Sequence, residues 1–140
     1  MSVYLDANVL VALFFTDDPL STRAYELVQV NMQTLIVSDL AAAEFASVIG
    51  RHVRMRNIAP ALARKTFSDF DRWAETTERA AVTPADISTA DAYLRRLNLN
   101  LRAPDAIHLA TTQRLRAEFA TFDKALAAGA RALKISLASA

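Results

Sequence analysis

Apolar residues along this chain follow two spacings, which alternate with each other from the first residues to the last. Short runs of β-branched and aromatic character predict strands at 2–6, 34–38, 80–83, 118–122 and 132–136. Stretches with apolar positions three and four residues apart predict helices that begin near residues 7, 19, 40, 60, 84, 104 and 123. Strands that alternate with helices in this way indicate an α/β sandwich with a mainly parallel sheet.

Proline, glycine and capping residues punctuate the pattern. Asp18 and Pro19 predict an N-cap and a first helical position, and Thr83 and Pro84 predict the same pair for a later helix. Gly129 suits the C-terminal cap of the helix that begins near residue 123. The sequence shows no linker, repeat or low-complexity segment, so we expect residues 1–140 to form a single domain.

Composition narrows the class of protein. Hydrophobic residues make up 53% of the chain and charged residues 22%, which suits a soluble globular domain. The absence of cysteine excludes disulfides, zinc–thiolate sites and cysteine nucleophiles, and it fits a cytoplasmic protein. No apolar run approaches the ~18 residues that span a bilayer, so we expect no membrane association. With two glycines, the chain carries neither a P-loop nor a dinucleotide fingerprint.

Four acidic residues stand where the predicted strands and helices meet. Asp6 ends the first strand and Asp123 follows the fourth. Asp105 lies in the first turn of the helix that leads into the fourth strand, and Glu44 lies one turn into the helix after the second. All four have apolar neighbours, and because an isolated buried charge is very costly, such acids are exposed, paired or metal-bound.

Carboxylates that converge repel one another, and a divalent cation resolves the conflict. Oxygen ligands without cysteine or a pair of histidines favour Mg²⁺ or Mn²⁺ over Zn²⁺. Such an ion polarises a phosphoryl group and activates water, so the expected chemistry is phosphodiester hydrolysis. A simpler interpretation stays open residue by residue, since Asp105 and Asp123 also suit helix caps and Glu44 also suits a helix surface.

Four segments resemble, in chain order, the acidic motifs of PIN-domain nucleases. VYLDAN at 3–8 resembles the opening motif, and DLAAAEF at 39–45 resembles the second. LRAPDAIHLA at 101–110 is similar to the third motif, most closely as found in the VapC toxins of bacterial VapBC toxin–antitoxin pairs. TFD at 121–123 is similar to the last. The resemblance covers the whole chain.

The resemblance implies a PIN-like three-layer α/β/α sandwich with strand order 3-2-1-4-5. It implies an acidic quartet that binds Mg²⁺ or Mn²⁺ and catalyses RNA hydrolysis, formed by Asp6, Glu44, Asp105 and Asp123. Asn8 and Thr121 match positions that support the acids by hydrogen bonds. It further implies an endoribonuclease toxin of a type II system, with RNA as substrate, a homodimeric state and a cognate VapB-type antitoxin as partner.

A few other residues invite a functional interpretation beside a structural one. Arg51 and Arg102 could contact RNA phosphates, although solvated arginines are as good an explanation. His108, between Ile107 and Leu109, favours a satisfied core histidine over a base or ligand, and His52 on the apolar side of its helix favours the same. The aromatic residues at 67, 70 and 73 have helical spacing, which favours packing over base stacking.

Two other functions remain open from the sequence. A phosphatase could use Asp6 as an aspartyl nucleophile, although such enzymes usually carry a second aspartate where this chain has Asn8. A receiver-like or protein-binding module could hold an ion structurally, with Lys134 near the end of the sheet.

Overall fold

The computed structural model describes residues 1–15, 17–31 and 34–139. These residues form a parallel four-stranded sheet with helices on both of its faces. The strands are β1 (Val3–Leu5), β2 (Leu35–Ser38), β3 (Glu78–Ala80) and β4 (Glu118–Ala120). The helices are α1 (Ala7–Phe14), α2 (Ser21–Val30), α3 (Asp39–Arg54), α4 (Pro60–Ala74), α5 (Pro84–Arg95), α6 (Ala103–Arg114) and α7 (Lys124–Ala132). The order is β3-β2-β1-β4 and each pair is parallel, which confirms the predicted α/β class.

The sheet buries both of its faces because successive side chains of a strand point to opposite sides. In β1, Val3 and Leu5 join a core with helices α1 to α4, whereas Tyr4 joins a second core with α5 to α7. The same alternation holds in β2, where Ile36 enters the second core. Tyr4 and Asp6 are two residues apart, so both lie toward α6, and this parity positions the candidate site.

The fifth strand expected from the sequence, beside β4, is reduced to a single bridge among the described residues. The segment predicted as a strand at 132–136 instead ends helix α7 and turns at Lys134, whose φ is 60°. A single parallel bridge, Phe119 to Leu137, occupies the place beside β4 where the fifth strand was expected. The expectation failed because alanine-rich sequence before residue 132 continues the helix.

Gly129 also differs from its predicted role as a helix cap. It lies inside α7 and is buried, and a Cβ at this position would come within 2.8 Å of Leu101 Cδ2. The residue is therefore small because the loop before α6 packs against it, which no local signal in the sequence reveals.

Helix α2 and strand β3 each begin two residues away from their predicted starts. Helix α2 begins at Ser21 rather than Pro19, because Asp18 Oδ1 accepts a hydrogen bond from Leu20 N at 2.8 Å and holds a turn first. Strand β3 lies at Glu78–Ala80 rather than 80–83, since Ile36 pairs with Glu78 and Ser38 with Ala80. The first two residues of β3 are exposed at the sheet edge, so hydrophobicity did not mark them.

The aromatic residues of α4 pack inside the protein, as their spacing predicted. Phe70 is buried, and its ring centroid lies 4.6 Å from Phe45 and 5.5 Å from Phe14. Trp73 lies 5.3 Å from Phe14 in an edge-to-face arrangement. Among the helices of the described residues, none is both long and apolar enough to cross a membrane.

An ion pair between a buried carboxylate and a surface arginine links α5 to α6. Asp86 is 1% exposed and accepts hydrogen bonds from Arg114 Nε at 2.8 Å and from Arg114 Nη2 at 3.0 Å. Thr111 Oγ1 and the backbone N–H of Thr83 donate to the same carboxylate, at 3.1 and 3.0 Å. Four donors around one carboxylate fix the crossing of these two helices.

Leu97 occupies a backbone conformation that costs it free energy. Leu97 follows the end of α5 with a φ of 63°. Its side chain is 92% exposed, so burial of apolar surface does not offset the strain. The left-handed region costs a side-chain-bearing residue roughly 1–2 kcal/mol and costs glycine almost nothing. We expect Leu97→Gly to stabilise the protein by about 0.5–1 kcal/mol, which thermal unfolding would register as a rise of roughly 2–4 °C. Leu97→Ala removes the same apolar surface but keeps the strain, so a similar rise in that variant would contradict the explanation.

Candidate functional site

Asp6 lies at the carboxyl end of β1, where it caps the N-terminus of α1. Its backbone N–H donates to Ala120 O of β4 at 2.9 Å, which places it between two neighbouring strands. Its Oδ1 accepts from Ala7 N at 2.8 Å and its Oδ2 accepts from Thr121 Oγ1 at 2.7 Å. The residue is 6% exposed, and these two hydrogen bonds hold its carboxylate in one orientation at the carboxyl end of the sheet.

Thr121 and Asn8 form the hydrogen bonds that support this carboxylate. Asn8 Nδ2 donates to Thr121 Oγ1 at 3.1 Å, while Asn8 Oδ1 accepts from Phe122 N at 3.2 Å. Thr121 Oγ1 also accepts from Asp123 N at 3.1 Å. The two side chains thus link the start of α1 to the segment after β4 and orient Asp6.

Glu44 and His108 meet beside Asp6, although they come from different helices. Nε2 of His108 contacts Glu44 Oε1 and lies 3.8 Å from Asp6 Oδ1. One ligand atom from each of the three side chains lies within 4.8 Å of the other two. Two carboxylates and one imidazole therefore form a compact group that could hold a metal ion.

The other nitrogen of the imidazole faces the interior. His108 Nδ1 lies 2.7 Å from the Tyr4 hydroxyl, which donates to Ser38 Oγ at 2.6 Å. Ser38 Oγ in turn accepts from Ala41 N at 3.0 Å as the cap of α3. His108 is 1% exposed, so the core position expected from the sequence is correct. Its contact with Glu44 is the feature that sequence reasoning missed, and the one available signal was its place one turn after Asp105.

Asp105 and Asp123, the other two acids of the predicted quartet, stand outside this three-residue group. Asp105 Oδ2 accepts from the backbone N–H of Arg102 at 3.1 Å in the first turn of α6. Asp123 is exposed and caps α7, with its Oδ1 accepting from Leu126 N at 3.0 Å. Helix geometry places Asp105 one turn from His108 on the same face, and Asp123 follows Thr121 by two residues, so both border the group.

The predicted phosphate-binding arginines are exposed. Arg51 lies seven residues after Glu44 on α3, and Arg102 is the N-cap residue of α6. A third arginine, which the sequence did not single out, lies beside Phe122. Arg23 of α2 lies with its guanidinium carbon 5.0 Å from the centroid of Phe122, the residue between Thr121 and Asp123.

The charge of Asp6 calls for a compensating group. Burial raises the pKa of this carboxyl above its usual value, and the neighbouring Glu44 raises it further. His108, the hydroxyl of Thr121 and the backbone N–H of Ala7 lower the pKa but do not offset burial. A cation between Asp6 and Glu44 would favour the ionised form of both acids. The donor set therefore fits a divalent ion.

Two alternatives from the sequence lose support from the positions of their key residues. The phosphatase hypothesis needs an acid two residues after Asp6, and Asn8 there has both ends of its amide in hydrogen bonds. The receiver-like hypothesis needs a lysine at the same sheet edge as Asp6. Lys134 instead lines a surface depression with Met1, which precedes β1 and so marks the opposite end of the sheet.

Comparison with known proteins identifies the family of this chain and several solved structures with a similar fold. Residues 3–132 match the profile of the family described as PIN domain. VapC20 of Mycobacterium tuberculosis, a sarcin–ricin-loop cleaving toxin, superposes with a TM-score of 0.74 at 18% identity and covers 91% of this chain and 94% of its own. FitAcB of Neisseria gonorrhoeae gives a TM-score of 0.76 at 12% identity, and the match covers 98% of this chain and 96% of that one.

A third similar structure is VapBC2 of Rickettsia felis bound to a DNA fragment from its promoter. Its TM-score is 0.74 at 13% identity, and the match covers 98% of this chain and 97% of that one. No curated protein sequence matches the chain. The family match covers almost the whole chain, and the structures share its architecture at low identity.

Proposed function

Because the chain belongs to the PIN domain family, we propose that it is a metal-dependent endoribonuclease of the VapC toxin type. The observation that carries the proposal is the meeting of Asp6, Glu44 and His108 at the carboxyl end of the sheet. Ligands of open α/β sheets bind in the crevice at this end, where the strand order reverses. Here the reversal falls between β1 and β4, beside Asp6.

The residues of the site would divide the work as follows. Asp6 and Glu44 hold a Mg²⁺ or Mn²⁺ ion, and Asp105 and Asp123 complete the acidic quartet directly or through waters. Thr121 and Asn8 keep Asp6 in the orientation that binds the ion. The ion supplies charge neutralisation for the phosphoryl oxygens and lowers the pKa of a water. With the ion bound, a carboxylate of the quartet would accept a proton from the attacking water, whose oxygen would join phosphorus, and the sugar oxygen released from phosphorus would leave with a proton.

Basic residues around the acids would attract the RNA backbone. Arg23, Arg51 and Arg102 are exposed and each lies on an element that carries, or packs against, a residue of the site. Phosphate contacts position a nucleic acid without reading its sequence. Because the net charge is only +1, attraction to the RNA backbone would come from these local arginines rather than from the charge of the whole chain.

The fold also suggests partners. A structure described as a toxin–antitoxin complex from Klebsiella pneumoniae is also similar to this chain, so we propose a cognate VapB-type antitoxin that blocks the acidic site. We further propose a homodimer that acts in the cytoplasm, where its RNA substrate is found. Co-expression with an antitoxin encoded beside the toxin would be expected to restore growth that the toxin alone arrests.

Metal removal tests the proposal most directly. We expect the purified protein to cleave members of a panel of structured RNAs with Mn²⁺ or Mg²⁺ and to lose on the order of 10³-fold of that rate in excess EDTA, because the ion supplies most of the charge stabilisation. Readdition of Mn²⁺ should restore cleavage. Cleavage that persists at full rate in EDTA would reject the metal mechanism, and no cleavage of any RNA with either ion would reject the nuclease.

A further inference from the structure

The imidazole of His108 is placed as a ligand rather than as a bystander of the acidic group. Nε2 lies 3.8 Å from Asp6 Oδ1 and contacts Glu44 Oε1, and the three ligand atoms lie within 4.8 Å of one another. Ligand atoms that each stand roughly 2 Å from a Mg²⁺ or Mn²⁺ ion lie roughly 3–4 Å apart, and the 3.8 Å between Nε2 and Asp6 Oδ1 fits that range. An ion bound by Nε2 and Glu44 Oε1 would take the place of their direct contact. His108 is also 1% exposed, so its ring is largely shielded from solvent.

The hydrogen bonds on the interior side of the His108 ring fit a proton on Nδ1. The Tyr4 hydroxyl donates to Ser38 Oγ at 2.6 Å, so its oxygen is available as an acceptor for His108 Nδ1 at 2.7 Å. Tyr4 is fully buried, and Ser38 Oγ accepts its hydroxyl hydrogen. With the proton on Nδ1, Nε2 would present its lone pair to an ion held by Asp6 and Glu44, and that ion would replace the direct contact between Nε2 and Glu44 Oε1. Metal-binding histidines nearly always donate their second ring N–H in this manner.

We infer that His108 is a nitrogen ligand of the divalent ion beside Asp6 and Glu44, and that Tyr4 is a positioning residue that holds its ring. The inference rests on the proposed metal-dependent function and goes beyond its acidic quartet. Mg²⁺ prefers oxygen ligands in a strict octahedron, whereas imidazole suits the transition metals. The site therefore favours Mn²⁺ over Mg²⁺ more than a site of carboxylates alone would.

Electron spin-echo envelope modulation on the Mn²⁺-loaded protein tests the ligand directly. We expect the wild-type protein to show the ¹⁴N modulation of a coordinated imidazole, and this signal to change to a ¹⁵N pattern when the protein is labelled with [¹⁵N]histidine. His108→Gln should abolish the modulation. His52→Gln is the matched control, because His52 stacks on Phe15 and bonds Asn57 away from the acids, and it should keep the signal.

Titration calorimetry separates the ligand from its positioning residue. We expect His108→Gln to weaken Mn²⁺ binding by roughly tenfold or more and Mg²⁺ binding by less, and Tyr4→Phe to weaken Mn²⁺ binding by roughly tenfold while keeping the ¹⁴N signal. Tyr93→Phe is the control for Tyr4→Phe, since Tyr93 is also buried but its hydroxyl bonds Gln113. It should leave Mn²⁺ affinity unchanged. Circular dichroism of each variant checks that it is folded.

The outcomes distinguish this inference from the proposed function beneath it. Mn²⁺ that binds the wild-type protein without ¹⁴N modulation would overturn the ligand role of His108 and leave the carboxylate site and RNA cleavage standing. His108 would then serve only as a hydrogen-bond donor to Glu44. Failure of the wild-type protein to bind Mn²⁺ or Mg²⁺ at all would overturn both.

Discussion

Asp6→Asn is expected to reduce RNA cleavage by on the order of 10³-fold, or about 4 kcal/mol of transition-state stabilisation. The substitution keeps the size of the side chain and an oxygen for the bonds from Thr121 or Ala7, but it removes the charge that binds the ion. Because the residue is 6% exposed, water does not replace the lost charge. Initial rates of cleavage of a structured RNA at saturating Mn²⁺ measure the effect.

Thermal unfolding shows whether the loss is one of chemistry or of fold. A metal at 100 times its Kd stabilises a native protein by about 2.7 kcal/mol, which for a chain of this size corresponds to roughly 5–10 °C. Wild-type protein should show this rise with Mn²⁺, whereas Asp6→Asn should remain folded and show little of it. Asp69→Asn, an exposed acid of α4 in a surface pair with Lys65, is the control and should behave as wild type. Cleavage at the wild-type rate by Asp6→Asn would exclude Asp6 from the mechanism.

The same assay extends to the two acids at the border of the site. If Asp105 and Asp123 join the ion, then Asp105→Asn and Asp123→Asn should each lower both cleavage and the stabilisation by Mn²⁺. If they serve only as caps of α6 and α7, both variants should keep their cleavage rate and their stabilisation by Mn²⁺, and should lose little stability because asparagine caps a helix about as well as aspartate.

Asp86→Asn is expected to destabilise the protein by about 2–3 kcal/mol at pH 7, the largest effect we predict away from the candidate site. The change leaves Arg114, which has one further partner at Ala81 O, without its carboxylate. Arg114 is partly exposed and can recover some hydration, so the cost stays below that of a fully buried cation. Urea unfolding at pH 7 measures it.

The pKa of Asp86 determines how the stability contributed by this ion pair changes with pH. Burial by itself raises the pKa of Asp86, but hydrogen bonds from Arg114, Thr83 and Thr111 outweigh burial and hold the pKa below its usual 3.8. A lowered pKa in the folded state means that stability is present above the usual value and is lost as the pH falls through the lowered one. The difference between wild type and Asp86→Asn should therefore shrink as the pH falls below about 4.

A second acid on the same helix provides the control. Asp91 forms an exposed pair with Arg95 four residues later, and Asp91→Asn should cost no more than about 0.5 kcal/mol at any pH. Equal losses for Asp86→Asn and Asp91→Asn would mean that the Asp86–Arg114 pair contributes little to the fold.

What the sequence determined by itself was local. The cap at Thr83, the proline after it, the alternation in β1 and the acids at strand ends depend on neighbours within a few residues, and the structure has the helices and first strands where these signals placed them. The resemblance to PIN domains, which needs only motifs in order, was confirmed by the family match. The predicted cap at Gly129 was wrong because this glycine lies inside α7 and packs against Leu101, a contact that local signals do not reveal.

Only the tertiary structure decided how the site is assembled. Glu44 and His108 are 64 residues apart in sequence, and Tyr4 and His108 are 104 apart, so no spacing along the chain relates them. Their meeting depends on strand order, which places α3 and α6 beside the end of β1, and on the parity that directs Tyr4 and Asp6 to the same side. A histidine between two apolar residues indicates burial, but the side chains that face it are chosen by packing between distant elements.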